Sequence, residues 1–251
     1  MLSKRIIACL DVRDGQVVKG INFQKLRSAG EPAVLARRYN EEGIDEVVIL
    51  DVTATLEKRK ALAATIREVA SEIFLPLCVG GGIRDEGHAE AAIEAGADKV
   101  SLNTAAIACP ELITTLARRY GSQAVIVAID AKRNGDRFQI YVRSGQQETC
   151  RDAVEWAREA ADLGAGEILL TSIDKDGTKR GFACNLTAAV SDAVSIPVIA
   201  SGGAGTFDHF VDVFTTGKAD AALAASIFHY AEHAVVDLKQ HLTRHGIPVR
   251  L

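Results

Sequence analysis

Two aspartates, Asp11 and Asp130, each close a short aliphatic run, "IIACL" and "IVAI". A carboxylate that ends a buried strand points into the cavity the strand borders. Two such groups flanking a ligand can divide acid and base roles when unequal surroundings separate their pKa values; otherwise they only cap loops. Two glycine-rich runs are placed alike: "VGGGIR" at Val79–Arg84 and "ASGGAG" at Ala200–Gly205 both follow apolar stretches. Glycine lets backbone N–H groups approach an anion closely, and a following helix turns its positive end towards it. Thr104 in "SLNTA" and Ser226 in "LAASI" can add hydroxyl donors. Two such ends imply an elongated ligand with a phosphate at each end, unless the glycines merely turn the chain.

The elements that must position these groups recur along the whole chain. Val/Ile/Leu-rich runs near Arg5–Asp11, Glu46–Asp51, Leu75–Gly80, Lys99–Asn103, Ala124–Asp130, Glu167–Ser172, Ile196–Ser201 and Ala219–Ala225 read as strands. Amphipathic stretches such as "PAVLARRYNEEG" and "DAVEWAREAADLG" fall between them, several ending in glycine. Eight βα units without a linker in 251 residues predict one (β/α)8 TIM barrel over residues 1–251. A doubly wound open sheet is the alternative. The second half echoes the first: Asp130 lies 119 positions after Asp11, Gly202-Gly203 lie 121 after Gly81-Gly82, and Ser226 lies 122 after Thr104. A near-constant offset indicates two repeated half-barrels. Strands four apart face each other across a closed barrel, so the paired motifs should oppose one another at the C-terminal face, where active sites of this fold sit.

Other residues are more equivocal. Asp176 in "DKDGT" is either a third polar group at the site or a turn former before Gly177. Lys19 lies in a long first βα segment, about Val12 to Glu31, that reads as a lid. There it could steady developing negative charge, or simply face solvent. Side chains alternate along a strand, so Arg5 shares the face of Asp11, Lys99 that of Asn103, and Glu167 that of Thr171, with Glu46 on the face of Leu50. Pointing inward, Arg5, Glu46, Lys99 and Glu167 would form a charged ring that plugs or gates the barrel bottom; otherwise they are strand ends reaching water.

Composition narrows the class. A net charge of −4 provides no basic field, which argues against nucleic acid and anionic membranes as general partners. The five cysteines are odd in number and scattered, as expected of reduced cytoplasmic thiols. No signal peptide or bilayer-length apolar run is read, so a cytoplasmic location is expected. Cysteine and histidine spacing suggests no zinc site, and no P-loop, G-x-S-x-G or G-x-G-x-x-G fingerprint occurs, so neither metal nor cofactor is expected.

"KRIIACLDVRDGQVVKGINF", "VGGGIRD", "ADKVSLNTAA", "VAIDAK", "DAVEWAREAADLGAGEILLTSIDKDGTKRGF", "VIASGGAGTFDHF" and "ALAASIFHY" resemble, from end to end, the cyclase subunits of imidazole glycerol phosphate synthases of histidine biosynthesis. The resemblance implies a bisphosphorylated substrate, the phosphoribulosyl-formimino derivative of aminoimidazole carboxamide ribonucleotide. It also implies ammonia delivered by a glutaminase docked on the N-terminal face as a heterodimer. Asp11 and Asp130 match the acid/base pair and Lys19 the catalytic loop lysine. Gly82, Asn103 and Thr104 match one phosphate end, and Gly177, Gly203 and Ser226 the other, with Thr171, Asp176 and Ser201 completing the substrate set. Arg5, Glu46, Lys99 and Glu167 match an ammonia gate, and Asp98, beside it on the opposite face, is a candidate partner contact. One stretch departs from the family's Gly-Gly-Arg…Thr-Gly pattern: in "RSGQQETCRD", Gln146 stands for the arginine and Cys150 for the glycine. Rival expectations are the sister isomerase of the pathway and a catalytically silent scaffold for the glutaminase.

Overall fold

The computed structural model describes residues 2–21, 24–52, 59–229 and 234–251. Eight parallel strands close on themselves: β1 (Arg5–Arg13), β4 (Glu46–Asp51), β5 (Leu77–Gly80), β6 (Lys99–Leu102), β7 (Val125–Asn134), β10 (Glu167–Ser172), β11 (Val198–Ser201) and β12 (Ala221–Ala224). β12 returns to β1, with Arg5 beside Ala221, so these eight strands leave no free edge and form a barrel rather than an open sheet. Outside it run α1 (Pro32–Glu41), α2 (Arg59–Glu72), α3 (Glu86–Glu94), α5 (Glu111–Tyr120), α6 (Ala153–Asp162), α7 (Cys184–Ser191), α8 (Phe207–Thr215) and α10 (Val235–Arg244).

Both faces of each strand are covered, which explains the near-continuous Val/Ile/Leu runs. The outward faces pack with the helices into one large core around Tyr39, Trp156, Phe210 and Phe228. The inward faces form a separate, smaller core of Ile7, Cys9, Val48, Cys78, Ile126, Leu169, Ile199, Ala221 and Leu223, joined by Leu50, Ala128 and Ala225. Alternation therefore sends Arg5, Ile7, Cys9 and Asp11 inward together, and likewise Lys99, Ser101 and Asn103.

The half-barrel repeat is visible in its accessories. β1 continues into an antiparallel hairpin, β2 (Gln16–Ile21) and β3 (Gln24–Gly30), and β7 into a second, β8 (Arg137–Val142) and β9 (Gln147–Asp152). The segment expected to be a long lid loop is thus a hairpin over much of its length. Its tight turn is Asp14-Gly15, both at positive φ, in a two-residue loop between Arg13 and Gln16. Each half also inserts a short helix at the matched hydroxyl residue: α4 (Thr104–Ala108) and α9 (Ser226–His229).

Strand starts are pinned by aspartates. Asp45, Asp98 and Asp220 each lie at or next to the residue preceding a strand and accept a backbone N–H from the strand beside it: Ile6 at 2.8 Å, Leu77 at 2.8 Å and Val198 at 3.1 Å. Asp45 also takes the Lys239 ammonium at 2.8 Å, a buried ion pair that fixes α10 to the barrel floor.

Candidate active site

The barrel interior is layered. At its N-terminal end the four charged side chains meet. Arg5 donates to Glu46 Oε2 at 2.8 Å and to both oxygens of Glu167, while Lys99 Nζ reaches Glu46 Oε2 at 3.0 Å and Glu167 Oε1 at 2.7 Å. The ring is closed and charge-balanced. Burial pushes the Glu46 carboxyl up in spite of its two cations; Glu167 is held below the usual carboxylate range because Arg5 and Lys99 outweigh its burial. Glu46 Oε1 is buried with no hydrogen-bond partner. Above the ring the interior is apolar and narrow-chained, with Cys9, Cys78, Ala128 and Ala221 among the lining residues. Burial raises the Cys78 thiol, which keeps it a neutral, small filler.

The carboxylates lie at the opposite end. Asp11 is half-buried and accepts a weak S–H bond from Cys9 at 3.6 Å. Asp130 stands in register with Thr171 of β10, which is in register with Ser201 of β11, so these three share one layer. Burial pushes Asp130 up to about 6; the Asn103 amide opposes this by donating to Oδ2 at 3.0 Å, and Asp176 adds to the rise. Asn103, matched above to a phosphate end, here orients an aspartate. Its amide stabilises the ionised form, so Asn103→Ala should move the acid limb of a pH–rate profile to higher pH, whereas a merely structural loss would lower the rate without shifting the limb.

The glycine-rich ends are closely fitted. Gly81 has φ +80, and a Cβ there would lie 2.1 Å from the Asp51 carbonyl oxygen. Gly203, at φ +103, would place a Cβ 2.2 Å from Gly181 O, and its own carbonyl accepts from Gly181 N at 2.8 Å. The loop carrying Asp176 and Gly177 is thereby locked against the loop carrying Gly203. Asp176 N also bonds Ser172 O at 3.0 Å, and Gly177 has φ +71, so Asp176 both borders the site and forms a turn. Gly82 follows Gly81 at φ +73. Thr104 opens α4 after β6, and Ser226 opens α9 after β12, the last barrel strand, where this fold often places phosphate groups. Lys19 pairs with Arg27 in the first hairpin. The side chains of Lys19 and Ser226 lie outside the described part of the structure.

Two features had no reading in the sequence. Thr104 Oγ1 accepts from the backbone N–H of Arg143 at 3.1 Å, so the turn of the second hairpin, where the chain departs from the family pattern, sits on the start of α4. Arg143, Ser144 and Gly145 are consecutive positive-φ residues, so this turn keeps a left-handed backbone with Ser144 where the family pattern has its first glycine. At the barrel bottom, Phe74 is 96% exposed beside Asp98, on a groove of about 410 Å³ lined also by Ala70, Ile73, Pro76 and Gly96. An aromatic in the loop before a strand, in "FLPLCV", was the only signal for it.

A closed parallel barrel with carboxylates at the C-terminal ends of its strands is the architecture of (β/α)8 enzymes, and similarity to known proteins agrees. The family model "Histidine biosynthesis protein" matches residues 5–234. The chain is 57% identical over 251 residues to the imidazole glycerol phosphate synthase subunit HisF of Acidobacterium capsulatum, covering all of this chain and 99% of that one. It is equally identical to that of Pyrococcus furiosus and 55% identical to that of Pelodictyon phaeoclathratiforme, each along both full lengths. The chain belongs to the HisF family, the cyclase subunits of imidazole glycerol phosphate synthase. Among the described residues, no helix is long and apolar enough to cross a membrane.

Proposed function

We propose that the chain uses ammonia from a glutaminase partner to convert the phosphoribulosyl-formimino derivative of aminoimidazole carboxamide ribonucleotide into imidazole glycerol phosphate and aminoimidazole carboxamide ribonucleotide. The observation that carries this reading is the layering of one barrel: a charged ring at one end, small apolar side chains between, and carboxylates at the other. Ammonia adds to the ribulosyl ketone and water leaves, giving an imine. The new nitrogen then attacks the formimino carbon, its C–N bond to the aminoimidazole breaks, and the imidazole ring closes. Asp11 and Asp130 move the protons. A carboxyl near 6 lies closer to neutrality than an ordinary one and so can both accept and return a proton. Gly82 and Thr104 at one end, and Gly177, Gly203 and Ser226 at the other, hold the two phosphates, with Lys19 brought over the site by its hairpin. Holding both ends fixes the reacting carbons together, which removes much of the entropic barrier.

The glutaminase docks on the N-terminal face, over the ring formed by Arg5, Glu46, Lys99 and Glu167. The exposed Phe74 and the groove it shares with Asp98 support that surface, because a large exposed aromatic beside a charge suits the centre and rim of an interface. Asp98 then has two tasks, since one of its oxygens already holds Leu77 N.

The purified chain alone, given the bisphosphate and a high concentration of ammonium salt at alkaline pH, should release the aminoimidazole ribonucleotide. With glutamine in place of ammonium it should release none. Folded protein that binds the substrate yet turns over with neither nitrogen source would sink the proposal and favour a scaffold.

A further inference from the structure

Outside the barrel mouth, one cluster of donor side chains has no part in the proposed reaction. Asp208 lies in the first turn of α8, and His241 and His245 lie in the last turn and at the C-cap of α10. Residues four apart on a helix share a face, so the two imidazoles stand side by side, ring centres 4.4 Å apart. His241 Nε2 lies 2.9 Å from Asp208 Oδ1. One donor atom from each of the three residues falls within 4.8 Å of the other two.

We propose that Asp208, His241 and His245 form a divalent transition-metal site, of the zinc type, that ties α10 to α8. The donor set decides the class of ion. Two imidazole nitrogens and one carboxylate suit zinc and its neighbours, while magnesium and calcium require oxygen ligands throughout. The hydrogen bonds prepare the nitrogens. His245 Nδ1 lies 2.9 Å from the His241 carbonyl oxygen, which can only accept, so Nδ1 carries the proton and Nε2 of the neutral ring keeps its lone pair. At His241 the ion would take the place of the proton now shared between Nε2 and Asp208. Zinc–nitrogen and zinc–oxygen bonds of about 2.0–2.2 Å put tetrahedral ligand atoms roughly 3.3 Å apart. The 2.9 Å contact must open slightly and the exposed His245 ring must swing inward. The end of α10 also favours a cation, because its last carbonyls carry the negative end of the helix dipole. Three protein ligands leave the remaining position to water. His241 and His245 are four apart on one helix, a common pair spacing for zinc, but the carboxylate that joins them, Asp208 of α8, lies 33 positions before His241 and is brought beside it only by the fold.

The test is calorimetric titration of chelator-treated full-length protein with zinc chloride, together with melting curves with and without the metal. One zinc per chain should bind, release a proton, and at a hundredfold excess over Kd raise the melting temperature by about 5 °C or more. Magnesium should do neither. His241→Ala and His245→Ala should each weaken zinc binding at least about tenfold; the exposed position of His245 lets its variant fold normally. Zinc binding of equal strength in both variants would place the ion on the exposed Cys109 or Cys150 and overturn the site, as would no binding at micromolar zinc.

Discussion

Asp130→Asn should lower ammonia-dependent turnover by about 10²- to 10⁴-fold while leaving substrate binding within a few-fold of the parent. The substitution keeps the shape and the approach of the Asn103 amide but removes the group that takes up and returns protons. The same variant makes a second, independent prediction about stability. Asp130 has its carboxyl raised to about 6 in the folded chain, against about 3.9 in an unfolded one. A group raised in this way favours the fold below its unfolded value, and that contribution is lost as pH climbs through about 4 to 6. Above that window the folded protein carries a desolvated charge, which asparagine does not. Asp130→Asn should therefore melt higher than the parent at pH 8, and the difference should vanish near pH 4. Melting curves at the two pH values, beside single-turnover assays, check both halves. An unchanged rate would remove Asp130 from the chemistry; a melting difference that grew in acid would remove the buried charge.

Lys99→Ala is the second large effect. The lysine side chain is only 14% exposed and bridges Glu46, 1% exposed, and Glu167. Without it, two carboxylates share the single guanidinium of Arg5. Breaking a buried network from one side costs on the order of 3–5 kcal/mol, because it leaves charge uncompensated. For a chain of this size that is a fall of roughly 6–12 °C in melting temperature. Burial already raises Glu46, and losing a cation raises it further, so the ring compensates by taking up a proton. The sign follows: the variant should lie nearest the parent in mild acid and fall away as pH rises through the new Glu46 value. Lys99→Met combined with Glu46→Gln removes one charge of each sign, keeps the Arg5–Glu167 pair, and should recover most of the loss. If the double variant is no better than Lys99→Ala, the ring is not an electrostatic unit.

Much of this arrangement was legible because barrel geometry converts sequence offsets into positions. Once Asp11 and Asp130 ended matched strands, their opposition followed, and alternation alone sent Arg5, Glu46, Lys99 and Glu167 to one end of one interior. The hairpins were less visible. Asp14-Gly15 and Asn134-Gly135 are strong turn signals beside strand-like "QVVKGI" and "RFQIYV", but a count of eight barrel strands left these runs to the connecting segments. What stayed hidden is pairwise. The family resemblance placed Asn103 at a phosphate end but could not show its amide on Asp130. Nor could it show Arg143 on Thr104, because a turn of the second hairpin meets the end of another strand only after the sheet has closed. Asp98 read as a candidate partner contact; its bond to Leu77 N depends on the stagger between β5 and β6.

The duplicated hairpins and short helices have one further consequence. Each half of the chain contributes one facing aspartate and one glycine-rich end, so a ligand that uses all four must lie across both seams, β6 to β7 and β12 to β1. On the reaction proposed above, a bisphosphate held at both glycine-rich ends would bridge the two halves of the barrel as well as occupy its site.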